Sequence, residues 1–192
     1  MFLSDKGRAQ LKTKHGVNDL TQQLADLIAN QAMNECAMLD RVWIADAPST
    51  CAPHIKRRHK QFLGELLAFY YCSTEAYLRQ NCPSASGDFL DRLAREVAAS
   101  ALRDPFLRQL TVFQGDLPDS LLPRYMRRIN TKRSRSAIED DPAPGDDLIQ
   151  RTAADILREA NLSSSVMAAL EPVLLARLDW TSKELLGVAS PQ

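Results

Sequence analysis

The stretch that decides the fold is residues 61–80, which read QFLGELLAFYYCSTEAYLRQ. Its bulky apolar side chains recur at spacings of three and four residues, as the period of a helix requires. Six of the twelve aromatic rings of the chain lie between Phe62 and Phe89, and aromatic side chains bury large areas. We therefore predict a long helix that begins near Pro53, forms the centre of the core and fully buries at least one of Leu66 and Leu67.

The flanking sequence has the same helical period, which predicts an all-α fold: an irregular bundle of about six or seven helices. The expected helices, in chain order, cover residues 4–14, 18–43, 53–80, 88–102, 121–129, 147–160 and 163–180. Asn18 is the expected N-cap of the second helix, and Asp88 or Ser86 starts the fourth. Pro172 predicts a kink or a restart in the last helix, and Thr181 opens a final short turn through a capping-box pattern. For residues 106–113 the sequence allows either a short helix or a strand.

The composition changes between residues 130 and 145. Only Ile138 is a bulky apolar residue there, and the remainder is rich in charge, serine and proline. Such a segment cannot bury enough surface to offset the entropy lost on ordering, so we predict a mobile polar linker. The predicted organisation is an N-terminal helical bundle over residues 1–129, this linker over 130–145, and a C-terminal helical hairpin over 146–192.

The overall composition is that of a globular protein, since 45% of the 192 residues are hydrophobic and 25% are charged. The longest uncharged apolar stretches fall far short of the roughly 20 residues that a membrane-spanning helix needs. The first ten residues, MFLSDKGRAQ, lack the apolar region of a secretory signal, so we expect a cytoplasmic protein. The four cysteines form no C-x-x-C pair, and Cys36 and Cys72 are expected to be buried free thiols.

The charges are unevenly distributed although their sum is zero. Residues 1–135 carry 20 basic and 14 acidic side chains, whereas residues 136–192 carry 4 and 10. Two basic clusters hold the candidate partner-binding or phosphate-binding residues: Lys56, Arg57, Arg58 and Lys60 in the first, and Arg124, Arg127, Arg128, Lys132, Arg133 and Arg135 in the second. Clustered basic residues on a helix are a common phosphate-binding device. Alternatively, the second cluster folds against the acidic stretch that follows it.

The sequence contains no assembled catalytic or metal-binding motif. It has no nucleophile elbow, phosphate-binding loop or dinucleotide-binding fingerprint. His54 and His59 are five residues apart, so they diverge around a helix axis instead of converging on one metal ion. We expect no catalytic residue, no metal and no cofactor, although a site assembled from distant residues would escape this reasoning.

The function favoured by these patterns is that of a non-enzymatic, intracellular interaction or regulatory protein that binds a protein partner. The alternative is a nucleic-acid-associated regulator that uses the basic clusters at 54–60 and 124–135. Near-neutral net charge argues against this alternative. If residues 163–170 formed the recognition helix of a helix-turn-helix motif, that helix would contain no Arg, Lys, Asn or Gln to read bases. An unrecognised enzyme is the second alternative. No membrane association is expected, and self-association is left open.

Overall fold

The structure is a computed structural model, and the residues it describes are 14–46, 52–82, 85–103, 120–138, 144–160 and 164–187. For a few helical segments only the backbone is described, namely 14–17, 40–46, 52–60, 136–138, 144–146 and 165–166. The predicted helix at 4–14 and the open assignment at 106–113 therefore lie essentially outside the described residues.

The described part of the chain is all-α, as the sequence predicts. Its six helices are α1 (Lys14–Asp46), α2 (Ala52–Asn81), α3 (Gly87–Leu102), α4 (Leu121–Ile138), α5 (Pro144–Ala160) and α6 (Ser164–Leu186). Ser86 caps α3, where its hydroxyl accepts a hydrogen bond from the backbone N–H of Phe89 at 3.2 Å. Pro53 lies in the first turn of α2, where its missing N–H leaves no hydrogen bond unmade.

Helix α2 is the centre of the bundle, because each of the other five described helices packs against it. Its segment 62–72 is buried throughout, and both Leu66 and Leu67 are fully buried, so the predicted position of the core is confirmed. Buried apolar side chains from all six helices form one continuous cluster around it. A helix surrounded on every side is expected to be apolar on every side, which is what the sequence of this segment shows.

Two buried tyrosines of α2 tie neighbouring helices to this core. The hydroxyl of Tyr71 donates a hydrogen bond to the carbonyl of Leu90 in α3 at 3.0 Å. The hydroxyl of Tyr70 lies 2.7 Å from Oγ1 of Thr181 in α6. Burial raises the pKa of both phenols above their usual range. Both tyrosines therefore stay protonated and act as structural hydrogen-bonding groups.

The predicted helix starts at Asn18 and Thr181 are wrong. Helix α1 begins at Lys14, before Asn18, and the Asn18 side chain accepts a hydrogen bond from Arg92 of α3 instead of capping a helix. Helix α6 continues without a restart past Pro172 to Leu186. Thr181 lies inside that helix, where its hydroxyl donates to the carbonyl of Arg177 at 2.8 Å, so it opens no new turn.

The prediction of a polar linker over residues 130–145 is wrong for its first nine residues, 130–138. Helix α4 runs on to Ile138, and Lys132 inside it is buried. The correction has a physical cause. This segment has few apolar side chains, but two of its three cations, Lys132 and Arg133, are neutralised by carboxylates on neighbouring helices. Helices α5 and α6, the predicted hairpin, pack against each other and contribute to the common core. The division into separate domains at 129 and 146 stays a prediction.

Candidate functional site

The second basic cluster, residues 124–135, is divided by the helix that carries it. Arg128, Lys132 and Arg133 face the bundle and are buried or half-buried. Arg124, Arg127 and Arg135, in contrast, are exposed to solvent. Residues four apart share a helix face, which places Arg128 and Lys132 together. One basic run therefore forms two surfaces with different environments.

Lys132 lies at the centre of the inner surface. Its Nζ is 2.8 Å from Oε2 of Glu65 in α2 and 3.0 Å from Oδ2 of Asp155 in α5. The three side chains are only 7%, 9% and 14% exposed, respectively. Burying a charge is costly unless it is paired, and here one ammonium group serves two carboxylates from two different helices. This contact joins α2, α4 and α5.

Arg128 extends the same arrangement towards the end of α5. Its guanidinium contacts Glu65 and lies 3.3 Å from Oε1 of Glu159. The close approach of α4 to α2 at this point depends on Gly64, since a Cβ atom there would lie 3.0 Å from Cδ of Arg128 and 3.3 Å from Cδ1 of Tyr125. Glycine at position 64 therefore makes room for the arginine that reaches Glu65.

Arg133 makes a separate contact with α2 and α3. Its Nε lies 2.9 Å from Oε1 of Glu75, and its Nη1 contacts Asp91. Burial by itself would lower the pKa of this guanidinium, but the hydrogen bond to Asp91 and the charge of Glu75 raise it above the ordinary value. Arg133 is thus a permanent cation held between two carboxylates.

These contacts form two groups of ion pairs, one around Lys132 and one around Arg133, which we together call the inner ion network. Within the described residues it contains five cations and five carboxylates: Arg79, Arg128, Lys132, Arg133 and Arg158 with Glu65, Glu75, Asp91, Asp155 and Glu159. The network has no net charge, so three of the six candidate binding residues in the second cluster are neutralised within the protein. The alternative in which this cluster folds against the acidic C-terminal part of the chain is supported by Asp155 and Glu159, whereas the acidic residues 139–141 that directly follow the cluster lie outside the described residues.

The sequence contained a signal for two further carboxylates of this network, Glu65 and Glu75. Glu65 and Glu75 are the two charged residues of the otherwise uncharged stretch 61–78. A carboxylate inside a helix that is apolar on all sides needs a buried partner, so both positions indicated an internal cation. The identity of that cation was not foreseeable, because the partners lie 63, 67 and 58 residues further along the chain, at Arg128, Lys132 and Arg133.

The outer face of α4 is the side that carries Arg124, Arg127, Thr131, Ser134 and Arg135, all exposed. Among the described residues its three arginines have no ion-pair partner. A surface groove of about 680 Å³ runs along this face and is lined by Pro123, Met126, Arg127, Asn130, Thr131, Ser134 and Arg135. The face therefore combines positive charge, hydroxyl and amide groups, and a small apolar area at its N-terminal end.

The first basic cluster is placed only by its backbone. Lys56, Arg57, Arg58 and Lys60 belong to the first turns of α2, and their side chains lie outside the described residues. Their participation in binding stays a prediction, as does the expectation that they act together with the second cluster.

A surface that sequence reasoning missed lies on α6. Ala169, Val173, Ala176 and Trp180 are all exposed and recur at spacings of four, three and four residues, so they form one stripe. Val173 is 63% and Trp180 49% exposed. The opposite side of the same helix is buried through Leu174, Leu178 and Leu185. We call the exposed stripe the apolar face of α6.

Trp180 is held in place on this face by its neighbour. The guanidinium carbon of Arg177 lies 5.7 Å from the centre of the Trp180 ring, within the range of a cation–π contact. Arg177 is in turn fixed by two hydrogen bonds, of 2.8 and 2.9 Å, to the buried Glu35 of α1. The hydrogen bond to Glu35 raises the pKa of Arg177, which stays charged beneath the ring.

The three described cysteines lie in the interior of the bundle. Burial, and then the nearby charge of Glu75, raise the pKa of the Cys72 thiol to about 12. Cys36, Cys72 and Cys82 are all free and buried, which confirms the expectation for the first two. Over the described part of the chain, no group of three or more His, Cys, Asp or Glu side chains is arranged to hold a metal ion.

No helix in the described ranges is long and apolar enough to span a membrane. Comparison with protein-family models, with curated proteins and with solved structures gives no match for this chain.

Proposed function

We propose that this protein acts by binding a protein partner through the apolar face of α6. The observation that carries the proposal is the exposure of Val173 and Trp180 on a helix whose other side is already buried in the core. Single exposed apolar side chains are ordinary on protein surfaces, but a stripe with helical spacing that includes a tryptophan is typical of an interaction site. Tryptophan is also among the residues that contribute most to binding energy at protein interfaces.

The geometry around Trp180 supports this role further. A side chain that is already fixed before binding loses little conformational entropy when the partner arrives. Here the chain of contacts from Glu35 through Arg177 to the indole ring fixes one side of Trp180 and leaves the other side open. Small residues at 169 and 176 alternate with larger ones at 173 and 180, which leaves space for side chains of a docking helix between them.

The regulatory, non-enzymatic role and the cytoplasmic location belong to the same proposal. In this proposal Cys72 is no nucleophile, because its thiol is buried and its pKa is raised, and Tyr70 and Tyr71 act as structural hydrogen-bonding groups. Three free, buried cysteines suit a reducing compartment such as the cytoplasm.

The test compares a variant of the apolar face with a matched control. Val173→Ser together with Trp180→Ser removes the face, while Leu27→Ser removes an exposed leucine on α1, which is 46% exposed. Proteins that co-purify with the intact chain from its host are identified, and one is purified for calorimetry. The face variant is expected to weaken binding by about thirtyfold or more, the loss of about 2 kcal/mol that an interface tryptophan typically causes.

The control should retain binding, and thermal unfolding should show that both variants are folded. Equal binding by the face variant and the intact chain would rule out the apolar face as the site of interaction. The absence of any partner whose binding depends on these two residues would contradict the proposed function itself.

The nucleic-acid-associated alternative is favoured by one observation, the exposure of Arg124, Arg127 and Arg135. Arginines that contact phosphates release counterions, so duplex DNA binding should fall steeply with salt, and alanine at these three positions should reduce the slope by about one unit per lost contact. Alanine at Arg133 would be uninformative, because that side chain is already bound to Glu75 and Asp91.

A further inference from the structure

Among the described residues, no carboxylate forms an ion pair with the arginines on the outer face of α4. We propose that this face is a second docking surface, which takes an acidic amphipathic helix of a partner protein. This surface is separate from the apolar face of α6, and the two proposals stand or fall independently.

Charge is the first argument. The outer face presents Arg124, Arg127 and Arg135, and no carboxylate belongs to α4 at all. The inner ion network behind it is neutral within the described residues, so it does not offset the positive potential outside. A cationic surface without counter-ions attracts and orients an anionic partner, and arginine binds a carboxylate through two parallel hydrogen bonds.

The composition of the groove selects among anionic partners. Its N-terminal end is apolar through Pro123 and Met126, and Leu122 next to them is also exposed. A phosphate backbone would use the arginines and hydroxyl groups but would leave this apolar end in contact with water. An amphipathic peptide places leucine-type side chains on the apolar end and carboxylates on the arginines, so it matches both ends of the groove's described lining.

The spacing indicates the pattern that the partner helix should carry. Arg127 and Arg135 are eight residues apart on α4, which corresponds to about 12 Å along the helix axis at 1.5 Å per residue. Two carboxylates that meet both arginines should therefore lie about two turns apart on the docking helix. Thr131 and Ser134, between the arginines, offer hydroxyl groups to a polar side chain at the intermediate position.

The experiment measures fluorescence anisotropy with the full chain and three labelled probes. The first is an amphipathic peptide of about 18 residues with glutamates two turns apart and leucines at one end; the second replaces its glutamates by glutamine; the third is a DNA duplex of about 20 base pairs, all at about 50 mM salt. The variant is Arg127→Glu with Arg135→Glu. Arg95→Glu, a charge reversal at an exposed arginine of α3, is the control.

We expect the acidic peptide to bind more tightly than the other two probes. The double reversal should weaken that binding by about tenfold. Arg95→Glu should change it by less than about twofold, since Arg95 does not line the groove and a single exposed charge contributes little. Sedimentation velocity tests a second copy of the chain as the occupant. The intact chain should remain monomeric when it binds the peptide.

Three results would overturn the proposal. Equal affinity for the glutamate and glutamine peptides would show that charge does not select the ligand. Tighter binding of the duplex, lost in the double reversal, would assign the face to nucleic acid. Self-association abolished by the same reversal would assign it to another copy of this chain.

Discussion

Replacement of Lys132 by methionine tests the inner ion network most directly. Methionine keeps the apolar part of the side chain but removes the ammonium group that lies 2.8 Å from Glu65 and 3.0 Å from Asp155. Both carboxylates are largely buried, so each loses a partner where water cannot fully replace it. Breaking a buried ion pair on one side typically costs about 3–5 kcal/mol.

The expected loss lies at the lower end of that range, about 3 kcal/mol, because Arg128 remains in contact with Glu65 and Arg158 with Asp155. With a denaturant dependence of about 3 kcal/mol per molar urea, the unfolding midpoint should fall by about 1 M. The control is Arg135→Met on the same helix. Its side chain is exposed, so its effect should stay within about 0.5 kcal/mol.

A second substitution separates charge from packing. Asp155→Asn in the Lys132→Met background removes one of the carboxylates left without its partner, and it should recover part of the lost stability. The reasoning would be refuted if Lys132→Met and Arg135→Met shifted the urea midpoint equally, since that result would place Lys132 in water.

Three further outcomes can be measured on the same protein. Leu66→Ala should lower the free energy of unfolding by about 2–5 kcal/mol, because it loses transfer energy and leaves a cavity, whereas Leu27→Ala at an exposed position should cost much less. Equal urea midpoints for the two variants would contradict the position of the core. Cys72 should resist thiol reagents even at about pH 9, because a raised pKa of about 12 leaves about one thiol in a thousand ionised at that pH. Mass spectrometry would locate the modified residues, and rapid modification of Cys72 in the folded protein would disprove its burial. Trypsin should not cut native protein after Lys132 or Arg133, since both lie within α4 and are ion-paired, and early cleavage at either would restore the linker interpretation.

Much of the fold could be predicted because helix period and capping are local properties. The apolar spacing of residues 62–78 predicted the central helix, and Ser86 was one of two residues predicted to start α3. The prediction of a linker was wrong for residues 130–138, and the reason is non-local. Residues 130–138 have little apolar surface, but their helix is stabilised by carboxylates on α2, α3 and α5.

The candidate site could be predicted only in part. The sequence indicated that residues 124–135 form a basic cluster, but not that the cluster has an inner and an outer face. The apolar face of α6 was missed because its helix is apolar on more than one side, so the period did not show which side the core covers. The tertiary packing of Leu174 and Leu178 decided that Val173 and Trp180 are exposed.

The sequence by itself determined the all-α class, the central position of residues 62–78 and the existence of the second basic cluster. Each of these follows from composition and from spacing within a single helix. Only the tertiary structure decided that Lys132 is an internal cation while Arg127 and Arg135 are exposed. The physical reason is that helical spacing determines which residues share a face, whereas the direction of that face depends on charges and apolar surfaces supplied by distant parts of the chain.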